Sequence, residues 1–222
     1  MTGLVRKASI LVVLGLVLSA AAAMAGIPDP AHSTCPNLSG GKYYVDIVAC
    51  KTGVIDPYGA FCVTVRDVAN NPVPGCDVKL CTSCTDIKYS QVAGVNCGPP
   101  ECITAVSNAN GVACFNLPGA STNTNGINSG CRDGGGTIYA CNIQLCLVTL
   151  TAFDENGAAT NPGVEVTDLS ALLGDIGKAA IQGYRGRSDF SHSFTMDVVD
   201  LSKWLSRIGS TASQTRCAVY CP

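Results

Sequence analysis

The stretch VTVRDVANNPVPGCDVKL, residues Val63–Leu80, has the pattern of two β-strands joined by a turn. Valines towards both ends favour strands, whereas Asn70-Asn71-Pro72 in the middle favours a turn. The same alternation of strand-forming and turn-forming residues extends over much of the chain. It predicts strands at Tyr43–Val48, Phe61–Arg66, Cys76–Leu80, Val112–Leu117 and Thr137–Leu150. Several strands at short spacing predict an all-β sandwich.

Two segments of this region resemble bacterial immunoglobulin-like domains of the invasin kind. They are the stretch quoted above and SNANGVACFNL, residues Ser107–Leu117. Asn70 stands where that family usually has glycine, and asparagine tolerates the left-handed backbone that the turn needs. The resemblance covers roughly residues 43–150 and implies an immunoglobulin-like β-sandwich. Long loops are expected at Cys81–Cys102 and Gly119–Asp133.

The first 25 residues have the pattern of a secretory signal peptide. Arg6 and Lys7 precede an apolar run, Ile10–Ala23, which ends at the small-x-small site Ala23-Met24-Ala25. A membrane anchor is the weaker interpretation because the run is short. We therefore expect a secreted, extracellular protein that does not span a membrane, either free or associated with a cell surface.

The net charge and the number of cysteines indicate which partners are unfavourable and whether the protein is exposed to an oxidising compartment. Cleavage after residue 25 would change the net charge from −2 to −4, and this acidic balance argues against nucleic acid as a partner. All fourteen cysteines lie from Cys35 onward, and an even count in an exported chain predicts a disulfide framework. Cys81-x-x-Cys84 has no second CxxC to complete a zinc site. One hypothesis is that Cys35 pairs with Cys217 or Cys221 and so joins the termini.

The C-terminal part of the chain contains an internal sequence repeat. Thr167–Gly177 reads TDLSALLGDIG and Val199–Gly209 reads VDLSKWLSRIG, with six of eleven positions identical at an offset of 32. Each copy has apolar residues at helical spacing and ends at glycine, which predicts two amphipathic helices packed on each other. The predicted apolar stripes are Leu169, Leu172, Leu173 and Ile176 in the first copy, and Leu201, Trp204, Leu205 and Ile208 in the second.

The loop before the second copy matches an EF-hand calcium loop. Such loops supply oxygen ligands at positions 1, 3, 5, 7, 9 and 12, because calcium is a hard cation that takes several oxygens. Met196 is the apolar residue at position 8, and Phe194 stands at position 6, where glycine is usual. The predicted ligands of this second loop are Asp189, Ser191, Ser193, Thr195, Asp197 and Asp200.

The loop before the first copy matches the same template less well. Its candidate ligands at positions 5, 7, 9 and 12 are Asn161, Gly163, Glu165 and Asp168. Positions 1 and 3 fall on residues without a side-chain oxygen. Asp154 and Asn156 would fill them only if the loop contains an insertion. This loop is therefore either degenerate or inserted.

Two loops, each followed by one helix, resemble a dockerin domain. The matching segments are NPGVEVTDLSALL, residues Asn161–Leu173, and DFSHSFTMDVVDLSKWL, residues Asp189–Leu205. The resemblance covers roughly residues 152–210 and implies calcium-dependent folding and binding to a cohesin-type partner on a scaffold or cell surface. It also implies that the partner contacts the start of each helix, at Val166, Thr167, Ser170, Val198, Val199 and Ser202.

We therefore expect a mainly β protein with a small α part, with four segments along the chain. These are a signal peptide (1–25), a disulfide-rich immunoglobulin-like sandwich (26–151), a dockerin-like module (152–210) and a cysteine-containing tail (211–222). The predicted function is non-catalytic docking through calcium, since no GxSxG, HExxH or phosphate-binding motif occurs. One alternative is a structural adhesin or surface-fibre subunit in which the helices are only a cap. A lesser alternative is an accessory component of polysaccharide degradation, because dockerins often accompany hydrolases.

Overall fold

The computed structural model shows a mainly β protein with two short helices. It describes residues 26–36, 38–39, 42–47, 59–82, 87–90, 94–98, 100–117, 119–121, 135–154, 164, 166–177 and 188–208. The predicted signal peptide and the C-terminal tail lie outside these residues. Among the described residues, no helix has the length and apolar character needed to cross a membrane.

Eleven strands precede the two helices in the described part of the chain. The strands are β1 (Leu38–Ser39), β2 (Lys42–Ile47), β3 (Ala60–Thr64), β4 (Asp77–Thr82), β5 (Ile87–Tyr89), β6 (Val95–Asn96), β7 (Glu101–Val106), β8 (Val112–Asn116), β9 (Gly119–Ser121), β10 (Gly136–Ala140) and β11 (Ile143–Ala152). The helices are α1 (Val166–Asp175) and α2 (Val198–Leu205).

Seven of these strands form one sheet in the order β1-β2-β11-β10-β4-β7-β6. β2 runs parallel to β11, and the other neighbours in this sheet are antiparallel. The hairpin between β10 and β11 turns at Cys141 and Asn142, which both have positive φ. β3 pairs with β8, and β5 pairs with β9, as separate two-stranded sheets.

The main hydrophobic core lies between the β3–β8 pair and one face of the seven-stranded sheet. β3 and β8 alternate buried and exposed residues, as expected of strands with one face towards a core. Phe61 and Phe115 stack in this core, with ring centroids 4.9 Å apart. They pack in one cluster with residues of the large sheet that include Val78, Leu80 and Ile138. The β3–β8 pair therefore packs on the large sheet, and an immunoglobulin-like sandwich stays a prediction.

Four disulfide bonds connect described cysteines: Cys35–Cys146, Cys62–Cys114, Cys76–Cys141 and Cys81–Cys102. The prediction of a disulfide framework is confirmed, and such a framework is typical of an oxidising, extracellular environment. The proposed clasp between Cys35 and the C-terminal cysteines is wrong, because Cys35 bonds Cys146 on β11. Pairing depends on which strands become neighbours, and spacing along the chain does not reveal that.

The structure corrects the predicted loop between Cys81 and Cys102. This stretch contains β5 and β6, and its end passes directly into β7. Cys81 and Cys102 are themselves paired across β4 and β7. The sequence does not reveal β5 and β6, because strands of three and two residues are too short to show a period.

The structure also corrects the apolar faces of the two helices. Leu173, Leu205 and Ile208 belong to the predicted stripes, yet they are 52%, 47% and 39% exposed. The buried face of each helix is rotated by one residue, because the first-turn aspartates Asp168 and Asp200 point inward. The buried residues are Asp168, Ala171, Leu172 and Asp175 on α1, and Asp200 and Trp204 on α2.

A second hydrophobic cluster holds the helices and begins where β11 ends. Phe153 follows β11 directly and stacks on Phe190, with ring centroids 4.4 Å apart. Leu172 from α1 and Trp204 from α2 complete the centre of this cluster. The indole Nε1 of Trp204 donates a hydrogen bond of 3.0 Å to the carbonyl oxygen of Phe153. The last residues of β11 therefore connect the two clusters.

Candidate metal centre

The second loop, residues 189–200, is organised around two buried carboxylates. Asp189 and Asp200 are both 0% exposed. Oδ1 of Asp189 accepts the backbone N–H of Ser193 at 3.0 Å, and Oδ2 accepts that of Phe194 at 2.8 Å. Asp200 likewise accepts the backbone N–H of Ser191 at 2.7 Å and that of Asp197 at 2.9 Å. These bonds fold the loop around its first and last predicted ligands.

The hydroxyl groups at the intermediate positions form a chain beside Asp189. Ser191 Oγ donates to Asp189 Oδ1 at 3.3 Å and to Ser193 Oγ at 2.9 Å. Ser193 Oγ is 2.9 Å from Thr195 Oγ1 and donates to the carbonyl oxygen of Thr195 at 3.1 Å. The structure thus brings together the residues predicted for positions 1, 3, 5 and 7.

The backbone of the loop makes a left-handed turn at two residues. His192 has φ 59° and Phe194 has φ 65°. Position 6 of an EF-hand loop needs a sharp turn and is usually glycine. Phe194 has a positive φ, which glycine adopts easily, so a left-handed turn forms here without glycine. Met196, at position 8, is buried as expected.

The third carboxylate of the loop, Asp197, is used differently. Asp197 is the N-cap of α2, and its side chain accepts the N–H of Val199 at 2.8 Å. Together with the bond from the Asp197 N–H to Asp200, this forms a reciprocal capping box. Among the described residues, no group of three or more Asp, Glu, His or Cys side chains is close enough to hold a metal ion. Two carboxylates and three hydroxyls are therefore the donors that the loop offers.

Burial opposes the negative charge of the Asp200 carboxylate in this loop. This burial raises the pKa of the Asp200 carboxyl. The N–H groups of Asp197 and Ser191 lower the pKa by hydrogen bonding, and the nearby Asp189 raises it. A divalent cation between the two carboxylates would compensate this charge. All of the donors are oxygen atoms, which suit Ca²⁺ or Mg²⁺ rather than zinc or copper. The residues present therefore fit calcium in chemistry, with fewer carboxylates than the sequence predicted.

The first loop is only partly described. Of its predicted ligands, Asn161, Gly163 and Glu165 lie outside the described residues. Asp168 is on α1 and is 0% exposed, and Asp154, two residues after the end of β11, is equally buried. Asp175 accepts a hydrogen bond of 2.9 Å from Ser188 Oγ, which ties α1 to the start of the second loop.

The six residues predicted to contact a partner all lie at the surface. Val166 is 68% exposed, Val198 is 72% exposed and Val199 is 50% exposed. Thr167, Ser170 and Ser202 are exposed polar residues on the same two helices. The helix starts thus present apolar side chains to solvent.

Sequence reasoning missed the residues that join the second loop to the sandwich. The His192 ring stacks on Tyr44 of β2, with centroids 4.1 Å apart and planes 11° from parallel. His192 Nε2 is 3.1 Å from Asp46 Oδ1, and Thr151 of β11 donates its hydroxyl to the same oxygen. Along β2, Tyr44 and Asp46 alternate with the core residues Val45 and Ile47. The sequence therefore indicates that Asp46 faces away from the core, but not which residue it contacts.

Comparisons with known proteins do not identify the chain: no family model, no curated protein and no solved structure matches it.

Proposed function

We propose that this protein is a secreted interaction protein whose C-terminal module binds calcium in the second loop and docks to a partner protein. The observation that carries the proposal is the folding of residues 189–200 around the buried pair Asp189 and Asp200. Loop positions 1, 3, 5, 7 and 12 all contribute oxygen atoms there. The proposed partner is a cohesin-type or other cell-surface protein.

Calcium at this loop would balance the charge of the two buried carboxylates, and backbone groups of the chain would hold those carboxylates in place. The N–H groups of Ser193 and Phe194 hold Asp189 in place, and those of Ser191 and Asp197 hold Asp200. The capping box ties Asp200 to the first turn of α2. Residues 198, 199 and 202 would therefore be positioned for the partner by the same bonds that position the ligands.

Calorimetric titration of the full processed chain with calcium tests the metal site. We expect saturable binding in the wild type and its loss in the double variant Asp189→Ala/Asp200→Ala. Asp77→Ala is the matched control, because Asp77 is an exposed aspartate at the start of β4. Emission of Trp204, the only tryptophan, gives a second readout from inside the cluster beside the loop. Equal binding in the wild type and the double variant would contradict the site.

Partner binding is tested separately, by surface-based binding to a panel of cohesin-type domains with and without calcium. We expect Val198→Asp/Ser202→Asp to abolish calcium-dependent capture. Val106→Asp is the control, because Val106 is 61% exposed on β7, away from the helices. Loss of capture in the control variant would show a nonspecific effect and count against the docking face.

A structural role for the helical module is the second candidate. The carboxylates of Asp189 and Asp200 each accept two backbone N–H groups in the loop. Asp197 and Asp200 together form the capping box of α2. A module held in this way could cover the end of the sandwich in an adhesin or fibre subunit without a metal. It predicts no heat on calcium titration and the same melting temperature with and without chelator.

A further inference from the structure

The N-terminal arm, residues 26–36, is fixed against the end of β3. The Asp29 N–H donates to the carbonyl oxygen of Arg66 at 2.7 Å, and Thr34 and Thr64 exchange backbone hydrogen bonds of 2.9 and 3.2 Å. Pro28 is buried, and Cys35 is held to β11 by its disulfide. Gly26, at the beginning of the arm, therefore has a defined position.

At that position Gly26 meets the carboxylate of Asp67, which is 1% exposed. Oδ1 of Asp67 accepts the N–H groups of Ala69 and Asn71 at 2.9 and 2.8 Å. Among the described residues, Oδ2 accepts two long hydrogen bonds, both of 3.3 Å, from Asn71 Nδ2 and from the Gly26 nitrogen. Oδ2 is thus the more weakly bonded oxygen, and the nitrogen of Gly26 is one of the two donors that face it.

Gly26 is also the residue that follows the predicted signal-peptide cleavage site, Ala23-Met24-Ala25. We propose that Asp67 is the binding site for the α-ammonium group that export processing creates at Gly26. Two independent observations meet in this proposal. The sequence pattern places the cleaved bond before Gly26, and the fold places the nitrogen of that residue on a buried carboxylate.

The processing step is ordinary peptide hydrolysis by a leader peptidase. One water molecule is consumed as the Ala25–Gly26 bond breaks. The carbonyl carbon of Ala25 gains the hydroxyl and leaves as a carboxylate, and the nitrogen of Gly26 becomes an ammonium group. In the intact chain this nitrogen has one hydrogen to donate, and φ of Gly26 is +94°, which few residues other than glycine adopt. After cleavage it has three hydrogens and a positive charge, and it rotates freely about its N–Cα bond.

The chemistry of Asp67 suits a cation. The hydrogen bond from the backbone N–H of Asn71 lowers the pKa of the Asp67 carboxyl most, and the other hydrogen bonds lower it further. Burial acts in the opposite direction, but the pKa remains below its ordinary value. The carboxylate is therefore charged at neutral pH, and a charge-assisted bond is shorter and roughly twice as strong as one between neutral groups. Three other titratable side chains lie nearby. Asp29 contacts His32, and the guanidinium of Arg66 donates a hydrogen bond to the carbonyl oxygen of Asn70.

The test uses the full chain with its own leader, exported from a bacterial host and purified from the oxidising compartment. Intact mass and N-terminal sequencing first define the mature terminus, which we expect to be Gly26. Amine-reactive labelling over a range of pH, read for the N-terminal peptide by mass spectrometry, then gives the pKa of its α-amino group. We expect a midpoint at least about one unit above the ordinary range of about 7.7–8.0.

Three comparisons decide the outcome. In Asp67→Asn we expect the midpoint to return to the ordinary range, whereas in Asp29→Asn, which removes the same charge elsewhere on the arm, it stays raised. If Asp67→Asn does not fold, the native wild type is compared with the wild type in denaturant, where the midpoint must fall. A mature terminus other than Gly26, or equal midpoints in the native and denatured wild type, would overturn the proposal. So would a loss of the shift in Asp29→Asn alone.

Discussion

Single residues shape the turn between β3 and β4. Asn70 takes φ 63°, the left-handed geometry for which asparagine is suited. Asp67 gathers the N–H groups of the turn on its carboxylate, and Gly111 from the neighbouring β7–β8 turn accepts the Val65 N–H at 2.7 Å. Asp67 and Gly111 stabilise this end of the β-sheets because they accept backbone N–H groups that belong to no strand.

Gly111 gives a prediction at this scale, with Gly75 as its matched control. Both have positive φ, 75° and 71° respectively, so alanine at either carries the left-handed strain of about 1–2 kcal/mol. Only at Gly111 would the new Cβ also meet the backbone, 2.5 Å from the carbonyl oxygen of Val65, while nothing lies within 4 Å at Gly75. We expect Gly111→Ala to lower the free energy of unfolding clearly more than Gly75→Ala, measured by chemical denaturation. Equal losses would mean that the close approach has no energetic effect.

Asp67 gives a pH prediction at the same scale. Its pKa is lower in the folded protein than in the unfolded chain. Its carboxylate therefore stabilises the fold above about pH 4, and this contribution is lost as the pH falls through the folded pKa. In melting-temperature profiles at acid pH, we expect the curve of Asp67→Asn to be flatter than that of the wild type. Asp77→Asn, at an exposed position, should leave the slope near that of the wild type, and a wild-type slope in Asp67→Asn would contradict the argument.

At the scale of elements, the helices show how a loop sets the face of the helix that follows it. Asp200 is bound by the N–H groups of Ser191 and Asp197, so the first turn of α2 faces the loop. That constraint rotates the buried face by one residue from the apolar stripe in the sequence. Trp204 then reaches the second cluster, and Leu205 faces solvent.

Two adjacent leucines of α1 test this rotation. Leu172 is 0% exposed and Leu173 is 52% exposed. We expect Leu172→Ala to lower the free energy of unfolding of the helical module by about 2–5 kcal/mol, because it leaves a cavity in the second cluster. Leu173→Ala should stay within about 0.5 kcal/mol of the wild type. The measurement is chemical denaturation in chelator, monitored by Trp204 fluorescence. Similar losses of unfolding free energy in the two variants would support the apolar stripe predicted from the sequence.

At the scale of the whole molecule, two hydrophobic clusters share the end of β11. The first packs on one face of β2 and β11, and their other face carries Tyr44, Asp46 and Thr151. His192 of the second loop covers this face by stacking on Tyr44 and contacting Asp46. The loop proposed to bind calcium is therefore also a contact between the two parts of the protein.

The variant His192→Ala tests that contact. It removes an aromatic stack of the kind that contributes about 0.5–1.5 kcal/mol, together with the bond to Asp46. We expect the helical module to unfold at a lower temperature than the sandwich, so that calorimetry resolves two transitions or a broadened one. His32→Ala, the other histidine of the chain, is the control because His32 lies on the N-terminal arm. A single wild-type-like transition in His192→Ala would show that the parts are coupled elsewhere.

The sequence by itself determined the features that depend on neighbours along the chain. Local propensity and periodicity predict strands with alternating burial such as β3 and β8, the turns at Asn70 and Asn110-Gly111, and the two helices of the repeat. In the second loop, the residues at positions 1, 3, 5 and 7 lie in one chain of hydrogen bonds, whereas Asp197 caps α2. Their role as metal ligands stays a prediction. Strands as short as β6 could not be predicted, because two residues show no period.

Only the tertiary structure decided which remote residues become neighbours. The pairing of Cys35 with Cys146 spans 111 residues, and the contact of Asp46 with His192 spans 146. Neither leaves a trace in local spacing, since each depends on the order of strands in the sheet and on the face that the second loop covers. The inward turn of Asp200 is decided in the same way, because the N–H groups that bind it belong to a folded loop rather than to a helical pattern.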